Sequence, residues 1–134
     1  MKSDQDIRNS YKVYLEGDDI INLTFTQEQK DKEDNTSQSE LILEDFEEIL
    51  KKNPGKKYKM LVDLSPVGNA SYISDRSKEI YSKSPVFKDL LKIAVVSTSL
   101  ILKVITYTIS ITTGKSDSVR WFDSKNQALK WLSE

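Results

Sequence analysis

The chain has 134 residues, enough for one domain with a substantial core, and we expect residues 1–134 to form a single domain. Twenty basic residues against twenty-one acidic ones leave a formal charge of −1, so no global positive field favours nucleic acid as a partner. Cysteine and histidine are both absent, which excludes thiol and Ser-His-Asp catalysis and the usual structural zinc sites.

The first part of the chain contains one predicted hairpin between two polar segments. Residues 1–10 are polar and are expected to be frayed. Tyr11–Glu16 and Ile20–Phe25 are rich in β-forming residues, and the Gly-Asp-Asp between them is typical of a tight turn, so they predict an antiparallel hairpin. Residues 26–38 lack apolar periodicity and are predicted to be an exposed loop.

A helix is predicted after this loop. Residues 37–40 (Ser-Gln-Ser-Glu) match a capping box, in which Ser37 and Glu40 satisfy each other's free backbone amides. Apolar residues then recur at helical spacing at Ile42, Phe46 and Ile49. Asn-Pro-Gly at residues 53–55 predicts the end of this helix.

Two short apolar runs predict buried strands. Residues 58–64 form the first run, in which Asp63 stands at the end and Ser65 follows. Residues 91–96 form the second, and both are typical of strands covered on two faces inside a parallel sheet. Between them, Ser74 or Asp75 is expected to cap a short helix that ends at Ser-Pro, residues 84–85.

The segment Leu100–Thr112 is ambiguous from its spacing alone. Ile105, Tyr107, Ile109 and Ile111 alternate as in a strand, yet the same segment also has apolar residues on one helical face. It is too short and too polar to span a bilayer. Residues 118–122 predict a last strand, and Asp123 or Ser124 is expected to cap a final helix.

Several of these runs together resemble the STAS-like (SpoIIAA-like) family of small bacterial proteins. The resemblance extends over residues 58–132 and is carried by four motifs: Leu-Val-Asp-Leu at 61–64, Ile-Ala-Val-Val at 93–96 followed by Ser99, Val-Arg-Trp-Phe-Asp at 119–123, and Gln-Ala-Leu-Lys-Trp-Leu at 127–132. It implies an α/β fold with a mixed sheet, in which an N-terminal antiparallel hairpin precedes parallel βαβ units and helices pack against the sheet. It also implies that Leu100–Thr112 is a helix.

A candidate binding site follows from the strand ends. Ligand groups in α/β proteins lie at the carboxyl ends of parallel strands, and a helix N-terminus with a nearby lysine suits an anionic head group. The helix at Leu100–Thr112 also has more apolar residues than one packing face needs, which favours a dimer contact or a lipid-like ligand. The candidate ligand-binding residues are Asp63, Ser65, Ser97, Ser99, Lys103 and Tyr107.

The resemblance suggests a second kind of site. In the antagonist branch of the family, Asp-Leu-Ser at a strand end precedes a phosphorylated serine at the next helix, and residues 63–65 match the first part. Ser74 or Ser77 is then the candidate phosphorylation site, although the Asp-Ser-x-Gly signature is replaced by Ser-Asp-Arg-Ser at residues 74–77. Helix capping by Ser74 is the simpler interpretation.

From the sequence we expect a non-catalytic, cytoplasmic binding or regulatory module that needs no metal and no cofactor. It would recognise a partner protein or a small amphipathic ligand and could form a homodimer, with no nucleic-acid partner and no membrane span. Two alternatives stay open at this point. One is a phosphorylation-gated protein similar to an anti-sigma antagonist, and the other is an enzyme that uses Asp63 as a base.

Overall fold

One five-stranded sheet with strand order β1-β2-β3-β4-β5 forms the centre of the structure. The computed structural model describes residues 2–112, 114 and 116–134. β1 runs antiparallel to β2, and β2 to β5 run parallel to one another, so the predicted mixed sheet is confirmed. The strands are β1 (Tyr11–Glu16), β2 (Ile20–Phe25), β3 (Lys59–Asp63), β4 (Ile93–Val96) and β5 (Val119–Phe122).

The helices cover the sheet unequally. Side chains of a strand alternate between the two faces of a sheet. The front face, which contains Leu23, Met60, Val62, Ile93 and Val95, lies against helices α2 to α5. The back face contains Leu61, Ala94 and Val96, which pack on α6. The six helices found in the described residues are α1 (Asp4–Arg8), α2 (Lys32–Lys52), α3 (Asp75–Lys83), α4 (Pro85–Lys88), α5 (Leu100–Thr112) and α6 (Lys125–Leu132).

The ambiguous segment Leu100–Thr112 is helical, as the family resemblance implied. Its threonines do not oppose this conformation, because the hydroxyls of Thr106 and Thr108 donate to the carbonyls of Leu102 and Val104 at 2.8 and 2.9 Å. The final helix is also confirmed, with Ser124 as its N-cap.

The expectation of a frayed N-terminus is wrong. Residues 4–8 form α1, whose first turn is capped by the Ser3 hydroxyl. Ile7 is fully buried in the cluster that contains Phe46, and Arg8 pairs with Asp45 of α2. Ile7 is the one apolar residue of α1 and gives no periodicity to detect, so only the tertiary contacts reveal this helix.

The expected loop at residues 26–38 is also wrong over its second half. α2 begins at Lys32, and the Asp31 carboxylate caps it by accepting from the amides of Glu33 and Asp34 at 3.0 Å. The predicted capping box therefore lies inside the helix. The first turns of α2 bury polar side chains, which hydrogen bonds stabilise, so the apolar periodicity that predicts a helix starts only later.

Candidate functional site

The loop after β3 is organised by Asp63. Its Oδ1 accepts hydrogen bonds from the backbone amide of Ser65 at 3.0 Å and from the Ser65 hydroxyl at 2.6 Å. Strand alternation places Asp63 on the back face with Leu61, so its carboxylate lies across the sheet from the helices of the front face. This pair fixes the turn that leads out of the strand.

Ser97 and Ser99 organise the connection from β4 to α5. The Ser97 hydroxyl accepts from the Ser99 amide at 3.0 Å, and the Ser99 hydroxyl accepts from the Leu102 amide at 3.2 Å. Ser99 also donates to the carbonyl of Ala70 at 2.7 Å, which links this connection to the loop after β3. These hydroxyls are thus used in capping and loop contacts.

Lys103 and Tyr107 lie on the outer side of α5, where both are exposed. The four apolar residues that suggested an excess of apolar surface are divided between two sides of the helix. Ile109 contributes to a pocket at the front face, whereas Tyr107 and Ile111 are more than half exposed. Residues at alternate positions lie on different sides of a helix, so these four residues do not form the single apolar face that the sequence analysis assumed.

A pocket lies at the front face of the sheet, beneath the loop that follows β3. Its volume is about 160 Å³, and most of its wall is apolar. The sheet contributes side chains such as Leu23, Met60, Val62 and Val95, and the loop after β3 contributes Leu64 and Ala70. The helices complete the wall with Asn35, Gln38 and Ser39 of α2, Tyr81 of α3, and Leu102, Thr106, Ile109 and Ser110 of α5.

None of the six predicted ligand-binding side chains, all in the described part of the chain, lines this pocket. Their neighbours do, because Leu64 lies between Asp63 and Ser65 while Leu102 precedes Lys103. The candidate residues therefore lie at the same edge of the sheet and on the same helix as the pocket, beside its wall. The prediction selected polar residues, whereas the pocket is built mainly from the apolar residues beside them.

One end of the pocket carries the polar groups that the sequence analysis missed. The two loops after β2 and β3 meet here, where a Glu28 Oε2 atom accepts from the amides of Ser71 and Tyr72 at 2.8 and 3.1 Å. Gln29 lies beside Glu28 and is almost fully buried. Both residues belong to the segment that was predicted to be an exposed loop. The one sequence pattern that could have indicated ordered structure here is Asp31, a typical N-cap residue at the start of a helix.

A network of buried hydroxyls joins α2 to α3 next to the pocket. Ser74, the N-cap of α3, interacts with the hydroxyls of Thr36 and Ser77 at 2.8 and 2.9 Å. The Ser39 hydroxyl lies within hydrogen-bond distance of the Ser77 hydroxyl at 2.7 Å and of the Tyr81 hydroxyl at 3.1 Å. Burial raises the pKa of Tyr81 to about 12, so this phenol is neutral at physiological pH.

The two candidate phosphorylation sites are members of this network. Ser74 is 2% exposed and Ser77 is 0% exposed. A kinase must reach the hydroxyl oxygen, so phosphorylation of either serine requires the contact between α2 and α3 to open first. In the folded structure both hydroxyls are committed to capping and to interhelical bonds.

Residues 2–112, 114 and 116–134 contain neither a cluster of metal ligands nor a membrane-spanning helix. Within these residues no group of three or more acidic side chains lies close enough together to hold a metal ion. No helix in the same residues is long and apolar enough to cross a membrane.

Comparison with known proteins gives a family assignment. The SpoIIAA-like family matches residues 20–133, which is most of the chain. The match begins at β2 and includes every residue of the pocket wall described above. No significant match was found among curated proteins or solved structures.

Proposed function

Since this chain belongs to the SpoIIAA-like family, whose STAS-like domains are regulatory or binding modules, we propose that it binds a small apolar or amphipathic ligand in the front pocket. The observation that carries this proposal is the pocket itself, an apolar cavity of about 160 Å³ with a few polar groups at one end. An engineered apolar cavity of about 150 Å³ accepts benzene, so the available volume suits a ligand of that size or a short alkyl chain. Sites of this composition are typical of small-molecule binding.

The alternatives have less support. The family is generally non-catalytic, and both hydrogen bonds recorded for Asp63 come from its own turn. The burial of Ser74 and Ser77 favours ligand binding over a phosphorylation-gated mechanism, because neither hydroxyl is accessible in the folded domain.

Chemical-shift mapping with 1-octanol tests the proposal. In a titration followed by amide NMR, we expect saturable shifts at residues of the pocket wall such as Ala70, Ile93 and Leu102. Leu100 and Leu91 are exposed leucines outside the wall and serve as internal controls. Shifts that are linear in octanol concentration, or that appear only at the exposed leucines, would contradict binding in the pocket.

A second proposal concerns the outer side of α5. Leu100, Val104, Tyr107 and Ile111 recur at intervals of four, three and four residues and form one exposed apolar line, which we name the α5 stripe. Leu100 is 77% exposed and Val104 is 66% exposed. We propose that two copies of the chain pair their stripes about a two-fold axis, because this spacing suits helix–helix packing and an uncharged line does not repel its own copy.

Sedimentation velocity over a range of protein concentrations tests this pairing. A single helix pair buries little area compared with a standard interface of about 1,600 Å², so we expect a weak, reversible dimer that dissociates on dilution. A sedimentation coefficient that stays monomeric at every concentration would overturn the proposal.

A further inference from the structure

The polar end of the pocket contains a buried donor that lacks a partner. Gln29 is 1% exposed and belongs to the pocket wall, and its Nε2 has no hydrogen-bond partner among the described residues. Tyr58 and Trp121 also carry a buried unpartnered atom, but neither side chain contributes to this pocket. An unsatisfied buried N–H group costs about 1–3 kcal/mol, so an acceptor supplied by a ligand would remove a real penalty.

The orientation of the Gln29 amide is determined by Lys2. The Lys2 ammonium donates to Gln29 Oε1 at 2.7 Å. An ammonium group can only donate a hydrogen bond, so the amide oxygen must face Lys2. The Nε2 atom is then the amide atom that does not face Lys2. The backbone of Gln29 is held as well, because its carbonyl accepts from Asn35 Nδ2 at 2.9 Å. The donor is therefore fixed in place before any ligand arrives.

The charges around this donor select against an anionic head group. Lys2 is paired with Asp34 at 3.9 Å beside the pocket, and Glu28 places a carboxylate in the pocket wall itself. This region therefore contains two acidic side chains and one basic side chain. A carboxylate or phosphate head would be repelled, and an ammonium head could not accept the Gln29 hydrogen bond.

We infer that the pocket takes a neutral amphiphile whose oxygen head group, a hydroxyl or a carbonyl, accepts a hydrogen bond from Gln29 Nε2 while its alkyl part lies along the sheet. A hydroxyl head would in addition donate to Glu28, the acidic side chain of the wall. This inference rests on the proposed function and adds the chemical class of the ligand and the residue that its head group contacts.

Two substitutions test the contribution of the Gln29 Nε2 donor to ligand binding. Gln29→Glu keeps an oxygen for Lys2 and removes the N–H group at almost unchanged volume, whereas Gln29→Met removes both the donor and the acceptor. Each variant and the wild type are titrated with 1-octanol and with benzene, which has no head group. Thermal unfolding of each variant is measured to check that the fold is retained.

For both variants we expect the affinity for 1-octanol to fall about 2- to 10-fold, as loss of a neutral hydrogen bond implies, while the affinity for benzene stays within about 2-fold. The wild type should bind 1-octanol more tightly than octanoate or octylammonium. An unchanged ratio of octanol to benzene affinity in the variants, or tighter binding of octanoate, would overturn the inference. If benzene does not bind the wild type, the proposed ligand-binding function is contradicted, and this inference is contradicted as well.

Discussion

At the scale of single residues, most of the predicted site residues act in the local structure. Ser65 bonds to Asp63, Ser99 caps α5, and Ser74 caps α3. The residue types and their positions after strands were predictable from sequence. Their local partners follow from those positions, but the remote ones, Ala70 for Ser99 and Thr36 for Ser74, come from other elements and were not predictable. The same hydroxyl next to a strand can bind a ligand or an adjacent amide, and only the fold decides which.

Ser74→Ala tests the structural role of the hydroxyl network. The substitution removes the N-cap of α3 and the contact with Thr36, so we expect a loss of about 1–2 kcal/mol in the free energy of unfolding, measured by urea denaturation. Ser82→Ala, in the same helix, is the control and should change this free energy by less than about 0.5 kcal/mol. Equal effects of the two substitutions would show that Ser74 does not cap α3.

At the scale of elements, continuous apolar runs were the reliable signal. β3 and β4 are covered on both faces, so their sequences are apolar without alternation and were predicted within two residues of their observed ends. The start of α2 was missed because polar side chains form its buried contacts, and α1 was missed because Ile7 is its one buried apolar residue. The predicted fold was therefore right in its sheet and incomplete in the helices that close the pocket.

α5 joins the two proposals, since its inner side forms pocket wall and its outer side carries the α5 stripe. Leu100→Glu places a charge in the stripe and should shift the dimer to monomer in sedimentation velocity, because like charges would face each other across the two-fold axis. Leu91→Glu is the matched control, an exposed leucine before β4 and outside the stripe. Neither change should alter the free energy of unfolding by more than about 0.5 kcal/mol. A dimer that persists in Leu100→Glu would exclude the stripe as its interface.

At the scale of the whole molecule, the parallel strands bring their following loops to one edge of the sheet. The loop after β2 supplies Glu28 and Gln29, the loop after β3 contacts Glu28, and the connection after β4 contacts Ala70. The helices on the front face then enclose the space beneath these loops. This arrangement makes a small apolar pocket with one polar end, which is why binding of a small amphiphile is the central claim.

Two substitutions of leucine by tryptophan in α5 test that claim most directly. Leu102 is buried in the pocket wall, whereas Leu100 is two residues away and exposed. In isothermal titration calorimetry with benzene, we predict that Leu102→Trp fills the pocket and weakens binding by at least about 10-fold, equivalent to about 1.4 kcal/mol. Leu100→Trp should bind within about 2-fold of the wild type, and both variants should unfold cooperatively. Undiminished benzene binding by a folded Leu102→Trp protein would contradict the claim that this pocket holds the ligand.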